Sequence, residues 1–254
     1  MKKLTLSLLT FSSALVLTAC GGSSSDNPKN NVAGLVQPTS ANTKFDPAKV
    51  ANTTTEEPIS GQHWHAVHED KKPSKFTLNN SNVGEDITKI TVDGKIFDLQ
   101  EVDKLTYVGD ENLGIKYGTT NHSRFGVAWQ NSPNNAGANV IFYQGYQTLP
   151  KDMPKTGTAK YVGQAFHDCA NCKNSEAKSS FDVDFGKKTV AGVIEHKDSK
   201  INLGATISGS SFSGVANGVQ TNGAFYGVDA SELSGIYKAT DGKFAGAFGA
   251  TQTK

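Results

Sequence analysis

Cysteine is scarce in this 254-residue chain, with only Cys20, Cys169 and Cys172. A structural zinc site draws on four thiol or imidazole ligands, and the Cys169-Ala170-Asn171-Cys172 pair has no second pair to complete it. A c-type haem attachment needs histidine directly after the second cysteine, whereas His167 precedes the first. A redox pair works at a helix start beside a βαβ pattern, and no such pattern is present. Arginine occurs once, at Arg124, and 25 basic residues stand against 24 acidic ones. That balance offers no polybasic surface, so nucleic acid is excluded as a partner and an anionic membrane surface is not a target. Helix-period apolar stripes are missing, as is any apolar run of the roughly 20 residues that a spanning helix requires. Equally absent are a Gly-x-Ser-x-Gly elbow, a His-Glu-x-x-His pair and a phosphate-cradling loop. The acids Asp182 and Asp184 fall on the solvent face of a predicted strand, so the chain reads as a non-enzymatic protein.

What is present begins at the amino terminus. Lys2 and Lys3 precede an apolar run from Leu4 to Leu17, and Leu17-Thr18-Ala19 leads into Cys20. Basic, then apolar, then small is the order of a secretory signal, here residues 1–19. Cysteine at that place is similar to a bacterial lipobox, whose thiol is acylated and becomes the first mature residue. Losing Lys2 and Lys3 leaves a mature charge of about −1, counted from the full-chain value of +1. Gly21 and Gly22 follow Cys20 in place of a retaining aspartate, which favours the outer membrane. Residues 20–58 carry few large apolar side chains and form a lipidated flexible tether with a typical reach of about 30–40 Å. With Cys20 acylated, Cys169 and Cys172 form an even pair in an oxidising compartment, and the favoured reading is a loop-pinning disulfide.

Beyond the tether the pattern is β throughout. In residues 59–109, Phe76–Leu78, Ile87–Val92 and Lys95–Leu99 read as strands, with Asp93-Gly94 as a hairpin signal. Ten more short strands are expected after residue 110: 113–117, 124–130, 139–145, 158–165, 180–185, 189–195, 201–208, 224–226, 233–238 and 244–248. Phe181, Val183 and Phe185 alternate with Asp182 and Asp184, and Phe244 and Phe248 alternate with alanine and glycine. Such periods with hairpin-length connections predict an antiparallel barrel or sandwich, and the small residues suit tight curvature.

Three stretches, 157–165 (GTAKYVGQA), 181–194 (FDVDFGKKTVAGVI) and 223–250, carry a family resemblance. The last holds Gly223-Ala224-Phe225-Tyr226-Gly227, then Glu232-Leu233-Ser234-Gly235, then Ala245-Gly246-Ala247-Phe248-Gly249-Ala250. Together they resemble the C-terminal β-barrel of transferrin-binding protein B and related surface lipoproteins, including factor H binding protein and haemophilins. The resemblance spans roughly residues 110–254. It implies an all-β chain, with a small N-terminal β-rich handle domain (59–109, ligand-binding) followed by an eight-stranded antiparallel β-barrel (110–254). It also implies delivery to the cell surface by a surface lipoprotein translocon and a TonB-dependent outer-membrane receptor as partner. The family shares no single ligand, so the fold does not assign one.

Histidine supplies the candidate ligand set. Three of the six fall in Gln62-His63-Trp64-His65-Ala66-Val67-His68, and in a strand His63 and His65 share a face opposite Trp64. His167, beside the cysteine pair, is the fourth candidate, because a closed loop would hold it in place. Neutral imidazole is a common transition-metal ligand and the proximal ligand of many haem irons. His63, His65, His68 and His167 are thus candidate haem or metal ligands, and haem is the expected cargo. His122 and His196 read as exposed turn residues. The alternative reading is capture of a host protein, such as transferrin or a complement regulator, or a role in colonisation. Arg124 would then suit an interface, and Tyr143, Tyr146 and Tyr161 would serve as anchors, although alternation makes the three tyrosines equally good barrel residues.

Overall fold

The computed structural model describes residues 59–254, apart from 70–71, 81–86, 93, 103, 131–136, 170–174 and 198. The signal segment 1–19, Cys20, the tether 20–58 and Cys172 lie outside the described residues. Every described element is a strand except two short 3-10 turns, Pro150–Asp152 and Val228–Ala230. The described part of the chain is all-β: an open sheet leads into a closed barrel.

The open sheet is antiparallel, in the order β2-β1-β8-β7-β6-β5. Its strands are β1 (Ile59–Glu69), β2 (Lys72–Asn80), β5 (Thr106–Gly109), β6 (Leu113–Thr119), β7 (Ser123–Gln130) and β8 (Gly137–Tyr146). The Asp93-Gly94 signal marks a separate hairpin, β3 (Lys89–Val92) and β4 (Lys95–Asp98), with Gly94 at a positive φ of 79°. This hairpin covers one face of the sheet, where Ile90, Phe97 and Leu99 pack on Ile115, Tyr117, Ala128, Val140 and Phe142.

The barrel closes as β10-β11-β12-β13-β14-β15-β16-β9. It runs through β9 (Thr158–Cys169), β10 (Glu176–Asp184), β11 (Thr189–His196), β12 (Ser199–Ser208), β13 (Ser211–Ala216), β14 (Val219–Tyr226), β15 (Glu232–Ala239) and β16 (Phe244–Gln252). Closure by β16 on β9 leaves no unpaired strand edge. Inside, Phe181 packs against Phe248 with ring centres 4.7 Å apart, and Phe212 against Phe225 at 5.3 Å. Bulky rings fit because each lies over a glycine on the next strand: Phe181 over Gly192, Phe212 over Gly223 and Tyr237 over Gly246. A methyl group at Gly223 would stand 2.2 Å from the Phe212 ring.

The division expected at residue 110 is corrected by the strand pairing. Strands β6, β7 and β8 are where the sequence puts them, yet they pair with β1 and β5 and do not enter the barrel. The handle therefore extends to Tyr146 and the barrel starts at Thr158. Alternation reports a half-buried strand but carries no information on which partner it chooses. β13 had no counterpart among the expected strands.

The two units meet over a shared core. Trp64, Phe125, Val127, Ile141 and Tyr143 of the sheet pack on Phe166, Ala224, Tyr226, Ile236, Ala245 and Ala247 of the barrel wall. The small residues of β16 thus serve close approach by a second layer as well as curvature. At the seam, Glu232 of β15 accepts hydrogen bonds from the backbone N–H groups of Asn121 (3.0 Å) and His122 (2.8 Å) and from the Thr120 hydroxyl. It also faces His122 Nδ1 at 3.2 Å. Three donors of the β6–β7 turn are satisfied by one barrel carboxylate, which fixes how the handle sits.

Candidate functional site

The described residues form a cleft of about 330 Å³ lined by Tyr107, Glu111, Lys116, Val127, Trp129, Asn139, Asp168 and Ser175. It straddles the two units, with the first six from the sheet region and Asp168 and Ser175 from the barrel end. Phe125, Val127 and Trp129 follow one another on the barrel-facing side of β7. Phe125 and Val127 reach the shared core, while Trp129 is left at the margin, half-buried.

The aromatic pair is built by neighbouring strands. Trp129 pairs across β6 with Gly114, where a side chain would collide with the indole at 2.4 Å. Tyr107 of β5 stacks on the indole at 5.4 Å between ring centres, with planes 27° apart. The indole N–H donates to the Asp110 carbonyl at 3.1 Å. The Asp110 carboxylate accepts from the N–H groups of Asn112 (2.7 Å) and Leu113 (3.0 Å), which hold its own ionisation below the ordinary carboxylate range. The Lys116 ammonium lies 5.8 Å from the indole centre and donates to the Ser175 hydroxyl at 3.1 Å, tying sheet to barrel. Tyr107 is 49 % exposed and its neighbour Val108 46 %. An exposed tyrosine, a rigid half-buried indole, an ammonium and carboxylates at the rim make a surface suited to a protein partner. Neither Tyr107 nor Trp129 was among the expected site residues. Their signal was Trp129 at the far end of an alternating strand, legible only once its neighbours are placed.

The four candidate histidines are not brought together. His63 pairs with Phe142 and His65 with Val140, so both lie on the hairpin side of the sheet, and Trp64 points to the barrel as alternation requires. His68 belongs to the same strand, but its side chain is outside the described set. His167 sits instead inside the barrel, 5 % exposed, with its ring 4.9 Å from that of His196. No group of three or more metal-ligating side chains occurs among the described residues. Cys169 ends β9 in a disulfide.

Several expected surface residues are interior. His196 closes β11 inside the barrel, and His122, in the β6–β7 turn, is buried in the seam beside Glu232. Of the two readings open for Tyr143, Tyr146 and Tyr161, burial selects the interior one, and they cannot anchor a partner. Arg124 is 1 % exposed and donates to the carbonyls of Leu99 (3.1 Å), Thr120 (3.0 Å) and Ser123 (3.0 Å). Burial lowers its pKa, opposed by Glu101 and Glu232. It is a structural clamp.

Comparison with known proteins agrees with this architecture. Residues 153–252 match the family model for the C-lobe and N-lobe beta barrels of Tf-binding protein B, a span that starts five residues before the barrel's first strand and ends with its last. An uncharacterized Haemophilus influenzae protein is 33 % identical over 132 residues, covering 47 % of this chain and 45 % of that protein. Transferrin-binding protein B of the same organism is 27 % identical over 154 residues, covering 45 % of this chain and 25 % of the relative. Among solved structures, a transferrin-binding protein B mutant from Haemophilus parasuis superposes with a TM-score of 0.58 at 22 % identity, over 80 % of this chain and 48 % of that one. The isotype 1 protein from serogroup B Neisseria meningitidis gives 0.58 at 21 %, over 76 % and 44 %. The chain spans less than half the length of these relatives. The barrel over residues 153–252 is similar to the lobe barrels of Tf-binding protein B, and the described fold resembles that of the solved transferrin-binding protein B structures.

Proposed function

We propose that the chain is a non-enzymatic, surface-exposed outer-membrane lipoprotein, anchored through Cys20, that captures a host iron-carrier protein of the transferrin class. The observation that carries the class is the barrel match over residues 153–252. The Tyr107–Trp129 cleft supports a protein as the captured species, since it offers a rigid aromatic pair at the edge of the seam. A surface lipoprotein translocon would export the chain and a TonB-dependent receptor would accept the iron. Immobilised full-length chain exposed to host serum is expected to retain transferrin. Trp129→Ala is expected to cut retention at least tenfold while leaving the thermal transition nearly unchanged, the size of a typical interface hot spot. Failure of the wild-type chain to retain any iron carrier, or equal retention by Trp129→Ala, overturns the reading.

Haem is the second reading, supported by the half-buried His63 and His65 beside Trp64 on β1. Haemin titration of the same preparation checks it. A sharp Soret band lost on His63→Ala, His65→Ala, His68→Ala or His167→Ala would move the assignment to haem, whereas a featureless titration removes it.

A further inference from the structure

The histidine that the partner-binding reading does not use has unusual surroundings. His167 of β9 and His196 of β11 both point into the barrel, and the strand between them contributes Ala177, an interior residue too small to keep the rings apart. Opposite His167, β16 has Gly246, and the Tyr237 ring of β15 crosses over that glycine. The Tyr237 hydroxyl then meets His167 Nδ1 at 2.9 Å and donates to the Phe166 carbonyl at 3.3 Å. With its proton directed to Phe166, the hydroxyl accepts from Nδ1–H. That selects the tautomer in which Nε2 carries the lone pair. A hydrogen bond on one imidazole nitrogen that frees the other is the usual support behind a metal-bound histidine.

The spacing also suits a shared ion. Two imidazoles binding one metal at about 2.0–2.1 Å, at an angle near tetrahedral, have ring centres about 5 Å apart. The centres of His167 and His196 are 4.9 Å apart with planes at 42°. Phe244 lies 5.2 Å from His167 and closes the apolar side.

We propose that His167 and His196 are the two protein ligands of a site for one late first-row divalent cation, Cu²⁺, Ni²⁺ or Zn²⁺, inside the barrel, with water completing the shell. Imidazole is the ligand these ions share. The site is independent of the Tyr107–Trp129 cleft and stands or falls apart from the iron-carrier reading.

The test uses the full chain stripped by a chelator, titrated with Zn²⁺ by calorimetry and with Cu²⁺ by electron paramagnetic resonance. One equivalent and two coupled nitrogens are expected. His167→Gln and His196→Gln should each weaken binding at least tenfold, with Tyr237→Phe weakening it about tenfold, as supporting hydrogen bonds do. The triple change His63→Gln, His65→Gln and His68→Gln should bind like the unaltered chain. A measurement without any substitution guards against misfolding of the variants: Cu²⁺ should broaden amide resonances of β9, β11 and β15 and spare β1. Binding that the triple change abolishes, single variants that bind normally, broadening centred on β1, or no binding below about 100 µM (weaker than roughly −5.5 kcal/mol) each overturns the proposal.

Discussion

The two walls of the barrel differ in what their outer faces meet, and the sequence differs with them. On β10 and β11 buried and exposed residues alternate strictly: Ala177, Ser179, Phe181 and Val183 point in, while Lys178, Ser180 and Asp182 meet water. On β15 and β16 burial is nearly continuous, from Glu232 to Tyr237 and from Ala245 to Ala250. The second wall is covered by the handle sheet, so its outward positions are Ile236, Ala245 and Ala247. A strand buried on both faces reads as an unbroken run of apolar and small residues. Glycine and alanine there are an imprint of a second layer, and the exposed alternation of β10 is the imprint of its absence.

The largest expected effect lies where both walls share one core. Phe248 is fully buried and touches Phe181, Phe212 and Tyr237, so Phe248→Ala should cost about 3–5 kcal/mol, read as a lower urea midpoint for the whole chain. Next comes the seam. Glu232→Ala strands the His122 ring and the N–H groups of Asn121 and His122, and should cost about 3 kcal/mol. Limited proteolysis should then cut the handle before the barrel, whereas loss of both units together would show that the seam is not the weak point.

Glycine provides a finer contrast between the walls. A methyl group at Gly249 would stand 2.3 Å from the Phe125 ring of the handle, so Gly249→Ala should cost about 1–3 kcal/mol by overpacking the seam. At Gly186, on the uncovered side, the nearest atom is Asp184 Oδ1 at 3.4 Å, and Gly186→Ala should be indistinguishable from the parent in a thermal melt.

The smallest effect is a pH dependence confined to the interior. Burial and His196 hold His167 at about 4, below the ordinary histidine value of 6.5. Between those values the unfolded chain binds more protons than the folded one. The contribution of His167 is therefore complete above about pH 6.5 and is lost as pH falls toward 4. His196, Asp168 and Tyr237 share that environment. Urea midpoints at pH 7.5, 5.5 and 4.5 should fall less steeply in His167→Gln than in the parent, and parallel curves would place the acid sensitivity elsewhere.

Much of this was legible in the sequence for a definite reason. Local periodicity and turn chemistry are written in neighbours: Asp93-Gly94 marked its hairpin, Phe181 to Phe185 their alternation, and the Gly223–Ala250 stretch the barrel type. The candidate site was not legible, because it depends on which strands become neighbours. Trp129 becomes a surface feature only when β6 presents Gly114 beneath it and β5 lays Tyr107 on it. His196, which looked like a turn residue, meets His167 only after β9, β10 and β11 curve into one wall.

The sequence by itself determined an all-β chain with barrel-forming alternation, since a period of two and glycine-marked turns are properties of adjacent residues. The tertiary structure decided that β6 to β8 belong to the handle, that Arg124 is a buried clamp and that two histidines share the barrel interior. Those outcomes rest on long-range pairing and on closure of β16 against β9, which satisfy backbone hydrogen bonds between segments far apart in the chain. No run of neighbouring residues encodes them.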